Sequence, residues 1–210
     1  MSQKGLLTVV SGFSGAGKGT LMKALLAKYA DQYALSISAT TRNPREGEQD
    51  GREYFFLKKD AFEQMIEEDA LIEYAQYVGN YYGTPKKYVT EQREAGKDVL
   101  LEIEIQGALK VKEKFPDTLL IFVTPPSAQV LETRLRGRGT ETEEVIEKRL
   151  ARAAEEAVCM DQYDYILVND DLDTCVEELH RLIQSQHART EENRDFCAQM
   201  NQELQVYRKG

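Results

Sequence analysis

The stretch "VVSGFSGAGKGTLMKALL", Val9 to Leu26, decides the fold, because it joins an apolar run to a glycine-rich turn and then resumes at helical spacing. Leu6 to Val10 is apolar without alternation, as a strand covered on both faces should be. Beyond the turn, Leu21, Met22, Leu25, Leu26 and Tyr29 recur with the period of a helix. Strand, Gly12-x-x-x-x-Gly17-Lys18 and helix, in that order, make a phosphate-binding loop. Glycines let backbone N–H groups converge on phosphate oxygens, the helix N-terminus adds a positive end, and Lys18 reaches the outer phosphates. A turn that merely packs a helix on a sheet would explain two of the glycines. It would not explain Gly12, Gly15, Gly17 and Gly19 together with a lysine at the mouth. The loop, with Phe13, Ser14 and Ala16 between its glycines, is therefore built to hold a nucleoside triphosphate. Gly19 stands where a Ser or Thr usually follows the lysine, and Thr20 supplies a hydroxyl for Mg²⁺ one position later. The loop alone does not separate a kinase from an ATPase or a GTPase.

Working outward, apolar runs return at Val99–Leu101, Leu119–Val123 and Tyr165–Val168, each followed by a helical segment. Strands alternating with helices predict an α/β fold with a mostly parallel sheet wrapped by helices. Asp60 with Glu63 reads as a capping box, and Thr84-Pro85 as an N-cap before a proline at the first helical position. Gly96 would close that second helix. Leu172, Val176, Leu179 and Ile183 form one apolar helix face. His180 and His187 lie in that region and read as solvent-facing. Between Tyr54 and Tyr82 the pattern changes to short strands, "EYFFL", "LIEYAQY" and "NYYG", with Gly79-Asn80 as a turn. The strand "VLLEIEI" would carry Glu102 and Glu104 on one face by its period of two. A second insertion, "LETRLRGRGTETEEVIEKRLARA", reads as two helices flanking Gly137 and Gly139.

The chain has 210 residues and a net charge of -9, which argues against a protein that wraps nucleic acid. Anionic substrates would have to be met by local arginines. The opening apolar run is too short for a signal peptide or a membrane span, so a cytoplasmic location is expected and no membrane partner. Cys159, Cys175 and Cys197 are widely spaced, with neither a zinc nor a disulfide pattern.

At "SISATTRNPREGEQDGREYFF", Arg42 and Arg45 sit three apart in a turn-rich segment. Alone they could simply be solvated. Together with "LIEYAQYVGNYYGTP", "LEIEIQGA", "RGRGTETEEVIEKRL" and "ILVNDDL", however, this segment resembles guanylate kinase from near residue 4 to near residue 187. The resemblance implies a P-loop kinase core of three layers with a mostly parallel sheet of roughly five strands. It implies one domain over 1–187, with a β-rich GMP-binding insertion at about 38–90 and a short helical lid at about 128–155; the polar residues over 188–210 themselves read as a C-terminal helix or tail.

The resemblance also implies roles. The acceptor phosphate of GMP falls to Arg42, Arg45, Tyr54 and Tyr82, whose guanidinium forks and phenol donors suit a dianion. Guanine recognition falls to the carboxylate of Glu73 and the hydroxyls of Ser38 and Thr84, with Glu104 also toward the base. Adenine offers the opposite hydrogen-bonding pattern and would leave Glu73 unpaired, a mismatch worth about 10⁴-fold. Arg138 and Arg149, with Lys18, would neutralise the transferring phosphoryl group. Arg134 and Asn169 would lie by the donor nucleotide, and Arg152 would share a helix face with Arg149. Thr20, and Glu102 through water, would hold Mg²⁺. The implied reaction is ATP + GMP to ADP + GDP. Two other readings compete: an adenylate-kinase-like phosphotransferase with another acceptor, and a non-catalytic guanylate-kinase-like binding module. Oligomeric state has no signature in the sequence.

Overall fold

The computed structural model describes residues 4–77, 79–137 and 142–208. In chain order the elements are β1 (Leu7–Gly12), α1 (Lys18–Lys28), β2 (Tyr33–Leu35), β3 (Ala39–Thr40), β4 (Phe55–Phe56), α2 (Lys59–Glu67), β5 (Leu71–Tyr77) and β6 (Asn80–Pro85). They continue with α3 (Lys86–Glu94), β7 (Asp98–Glu102), α4 (Ile105–Lys114), β8 (Leu119–Thr124), α5 (Ala128–Gly137), α6 (Glu143–Ala157), β9 (Tyr165–Val168), α7 (Leu172–Gln186) and α8 (Arg194–Leu204). β1 lacks alternation because it runs through the middle of a parallel five-stranded sheet, order β2-β7-β1-β8-β9, with Val9 and Val10 fully buried. Helices cover both faces of the sheet, and the core is built from its inward apolar runs with Leu21, Leu25, Val111, Leu135, Leu179 and Ile183. The register sets Val10 beside Glu102 of β7, so the loop that leaves β1 emerges next to that carboxylate.

The stretch between β2 and α3 forms its own sheet, order β4-β3-β6-β5, in which β3 and β4 are parallel and the other pairs antiparallel. It has a small core of its own, where Phe62 stacks on Tyr81 with ring centroids 5.2 Å apart. Gly79, at φ +76°, makes the turn between β5 and β6, and Gly96 at φ +82° follows the end of α3, both as expected. Among the described residues no helix is long and apolar enough to cross a membrane.

Four local expectations are corrected. Asp60 does not cap α2: the Phe62 N–H donates to the Lys58 carbonyl at 3.1 Å, so the first turn closes earlier and Asp60 lies inside it. Thr84 does not cap α3, because pairing of Pro85 with Leu71 prolongs β6 and makes Pro85 the N-cap. β7 ends at Glu102, while Glu104 is the extended N-cap of α4, so the two glutamates do not share a strand face. His180 and His187 are half-buried rather than solvent-facing, because α7 packs against α1 and the N-terminal ends of the strands. His180 stacks on Tyr29 at 3.8 Å and pairs through Nδ1 with the Tyr33 hydroxyl at 2.7 Å. His187 Nε2 lies 2.9 Å from buried Asp98.

Candidate functional site

The loop between β1 and α1 stands at the C-terminal edge of the parallel sheet, where such sheets present their crevice. Two glycines there have no substitute. Gly12 sits at φ +147°, and a Cβ on it would lie 2.0 Å from the Val123 carbonyl oxygen. Gly17, the N-cap of α1 at φ +89°, leaves 2.5 Å between such a Cβ and Asn169 Nδ2. That close approach has a purpose, since Asn169 Nδ2 donates to the Ala16 carbonyl at 2.8 Å and fastens the loop to the end of β9. Arg134 Nη1 in turn donates to the Asn169 carbonyl at 2.8 Å. Lys18 arches back over the loop, its Nζ donating to the carbonyls of Gly12 at 2.7 Å and Phe13 at 3.0 Å. Phe13 is buried edge-on against Phe122, which anchors the loop from below. From α6, Arg149 Nη1 donates to Ser14 Oγ at 2.8 Å. A cavity of about 340 Å³ opens over Ser14, Gly15, Gly17, Lys18, Gly19 and Thr20, with Lys23 and Glu102 on its rim.

A second cavity, about 310 Å³, lies between the small sheet and α4. Ser38, Tyr54, Glu73, Tyr82 and Glu104 line it, and so does Glu102. Glu73 is half-buried on β5, and Thr84 Oγ1, fully buried on β6, donates to its Oε1 at 2.7 Å. Burial pushes the Glu73 carboxyl above the usual carboxylate range; the Thr84 hydroxyl opposes this, Glu104 adds to it and Lys110 opposes it. Thr84 thus stands behind Glu73 and orients it.

At the other end of the cavity Arg42 lies over the Tyr54 ring at 5.4 Å, and Tyr54 meets Tyr82 edge-on at 6.0 Å. Arg42 Nη2 is chelated by Glu48 at 2.9 and 3.0 Å, and the backbone N–H of Arg45 donates to the same carboxylate at 2.7 Å. That backbone donor is the largest influence holding the Glu48 carboxyl below its ordinary range. Arg45 itself is exposed and is not among the residues that line this cavity. Glu104 faces Arg152 of α6 at 4.0 Å.

Ser38, Arg42, Tyr54, Glu73, Tyr82, Thr84 and Glu104 therefore come together in one place, and the loop residues, Thr20, Arg134, Arg149 and Asn169 in another. Arg138 lies outside the described residues. Sequence reasoning missed Glu48, Lys23 and Lys110. The Arg45-x-x-Glu48 turn spacing and the helical offset from Thr20 to Lys23 are the signals that could have found the first two.

A family model described as guanylate kinase matches residues 4–186. A guanylate kinase of Caldanaerobacter subterraneus subsp. tengcongensis is 50% identical over 203 residues, covering 97% of this chain and 98% of that protein. One from Streptococcus thermophilus is 51% identical over 191 residues, 91% of each chain. A crystal structure of guanylate kinase from Anaplasma phagocytophilum superposes with a TM-score of 0.68 at 29% identity, covering 90% of this chain and 89% of that one.

Proposed function

The chain belongs to the guanylate kinase family, and from that premise we propose that its two cavities carry out the transfer of the γ-phosphoryl group of ATP to GMP, giving ADP and GDP, within purine nucleotide metabolism. The observation that carries this reading is the position of Glu102, which lines both cavities. Phosphates held in each would meet at that carboxylate, so the loop serves as the donor half of a two-nucleotide site.

ATP would lie with its β- and γ-phosphates in the backbone amides of Gly12 to Thr20. Arg134 and Asn169 would stand on the nucleoside side. The Thr20 hydroxyl and the Glu102 carboxylate are hard oxygen donors in small number, which suits a Mg²⁺ ion that keeps waters and completes its shell with phosphate oxygens. Thr20 would hold it directly and Glu102 through water. When bound, Mg²⁺ supplies charge neutralisation at the transferring group. GMP would enter the second cavity with its phosphate toward Arg42, Arg45, Tyr54 and Tyr82. Its N1–H and N2–H₂ edge would lie against Glu73, flanked by Ser38 and Glu104.

The loose transition state spreads charge over the equatorial oxygens, and Lys18 and Arg149 stand where they can offset it. The contact of Arg149 with Ser14 supports this role, because it brings α6 to the loop. Arg138 is assigned the same role by family resemblance. The acceptor phosphate, with a second pKa near ~6, is already an oxyanion at neutral pH, so no protein base is required. Water is the competing acceptor, and the lid and the small sheet would exclude it by closing over the two nucleotides. The same reading places the enzyme in the cytoplasm, with ATP and GMP as its partners.

A coupled ADP-release assay with GMP, AMP, CMP and UMP tests this. GMP should be strongly preferred, Lys18→Ala should abolish turnover, and Glu73→Gln should erode the preference for GMP. Equal use of AMP by the unaltered enzyme, or full turnover by Lys18→Ala, would overturn it.

A further inference from the structure

The base end of the acceptor cavity is crowded with like charge. Glu73 and Glu104 both line this cavity, and the lysine that lines it with them is Lys110 of α4. Its placement follows from the helix. Gly107 stands directly against Glu73, where a Cβ would lie 3.7 Å from Glu73 Oε2, and Lys110 follows Gly107 by three residues on the same helix face. Glu73 Oε1 accepts from Thr84 and keeps a second lone pair, while Oε2 is the oxygen that faces α4. Lys110 is exposed, and its long stem lets the ammonium reach along the cavity rim. It also lines the neighbouring cavity behind β5, where Lys114 pairs with Asp69.

Guanine presents two donors side by side, and a carboxylate matches them only when both its oxygens accept. A protonated Glu73 would instead turn an O–H against an N–H. Where two carboxylates share one pocket, the more buried is the one that takes a proton first. We propose that Lys110 is a positioning residue for guanine selection, acting through Glu73 by keeping that carboxylate ionised without touching the substrate. The inference rests on reading the second cavity as the guanine pocket. The balance of influences on Glu73 agrees with it: burial and Glu104 raise its proton affinity, while Thr84 and Lys110 lower it. The remaining groups facing this pocket do not replace the lysine. Tyr54 and Tyr82 contribute phenols to the cavity, and Arg152 of α6 is held by Glu156 at 3.0 Å, with Glu104 4.0 Å away.

The test is the pH profile of kcat/KM for GMP in the intact enzyme and in Lys110→Met, Lys110→Arg and Glu73→Gln. GMP's own phosphate titrates identically in all four, so differences between them report the protein. Lys110→Met should move the acid limb to higher pH by about half a unit to one unit, raising KM for GMP several-fold on that limb. Saturated kcat, KM for ATP and the thermal midpoint should stay put, and Lys110→Arg should restore the original profile. An unmoved limb in Lys110→Met beside a disturbed profile in Glu73→Gln would overturn the role of Lys110. A loss of kcat or of ATP affinity in Lys110→Met would overturn it too. If Glu73→Gln leaves GMP selectivity intact, the guanine-pocket reading itself fails, and the inference falls with it.

Discussion

Replacing Asp98 should separate stability from catalysis. Asp98 opens β7 at the edge of the sheet opposite the phosphate-binding loop, and its side chain is 3% exposed. One carboxylate there ties three segments together. Oδ1 accepts from the Leu6 N–H at 2.8 Å, Oδ2 accepts from Gln184 Nε2 at 2.9 Å, and His187 Nε2 lies 2.9 Å from Oδ1 and 3.1 Å from Oδ2. Gln184 also donates to the Tyr33 hydroxyl, so the network continues through Tyr33 to His180. Asp98→Ala removes one acceptor and leaves three donors facing a hole. At about 1 kcal/mol net per neutral bond, and more for a donor left buried without a partner, the loss sums to about 3–5 kcal/mol. For a chain of this length that is a fall of roughly 10 °C in Tm. Asp98→Asn should cost less, because its carbonyl can still accept from Leu6 while its amide opposes Gln184. Urea and thermal unfolding followed by circular dichroism read these losses. Steady-state assays well below Tm should find kcat and both KM values unchanged within about twofold, since the strand ends that bear the site are at the far edge. An Asp98→Ala protein within about 1 kcal/mol of the original would show that the network is incidental. Lost activity at unchanged stability would show that this edge and the nucleotide site are coupled.

Glu48→Gln should raise KM for GMP while leaving KM for ATP alone, because Glu48 holds the Arg42 side chain and the Arg45 backbone in one turn; an unchanged KM for GMP would show that the arginines are positioned without it. Glu73→Gln should leave the nucleotide-free enzyme as stable as the original or more so at neutral pH. The Glu73 carboxyl is raised in the folded state, so its contribution is present below the unfolded value and is lost as pH rises through the folded one, whereas Gln has no such dependence and keeps the Thr84 bond. The Tm difference should therefore shrink in acid, and a Glu73→Gln enzyme less stable at neutral pH than in acid, relative to the original, would contradict the assigned sign. Gly17→Ala should cut turnover sharply, since its Cβ would collide with Asn169 at an αL position and unseat the Ala16 carbonyl; turnover close to that of the original would refute the fit of loop to Asn169.

The parallel core was legible because its signals are local. Unalternating runs such as Leu6–Val10 and Leu119–Val123 occur where a strand is covered on both faces, and each is fully buried as its pattern requires. The phosphate-binding loop was legible for the same reason, since glycine spacing, lysine and flanking elements lie within one short stretch. Helix starts failed where a tertiary contact outweighed a propensity. Thr84 has the chemistry of an N-cap, yet pairing of Pro85 with Leu71 keeps it in a strand and the half-buried Glu73 takes its hydroxyl. The two histidines failed for a related reason, because no helical period reveals that an aspartate 89 residues earlier in the chain will lie beneath His187.

The junction of the two cavities was accessible only in part. The residues proposed for the acceptor are scattered from Ser38 to Glu104, and it is the family resemblance rather than any spacing that gathers them. What places Glu102 beside the loop is the parallel register that pairs it with Val10, two residues before Gly12. That register follows from the order of strands, with β7 inserted between β1 and β2, and a crossover of that length leaves no trace in residue periodicity. In the proposed function the donor chemistry is thus written in one segment of the chain. The acceptor is brought to it by topology, and Glu102 is the residue at which the two kinds of information meet.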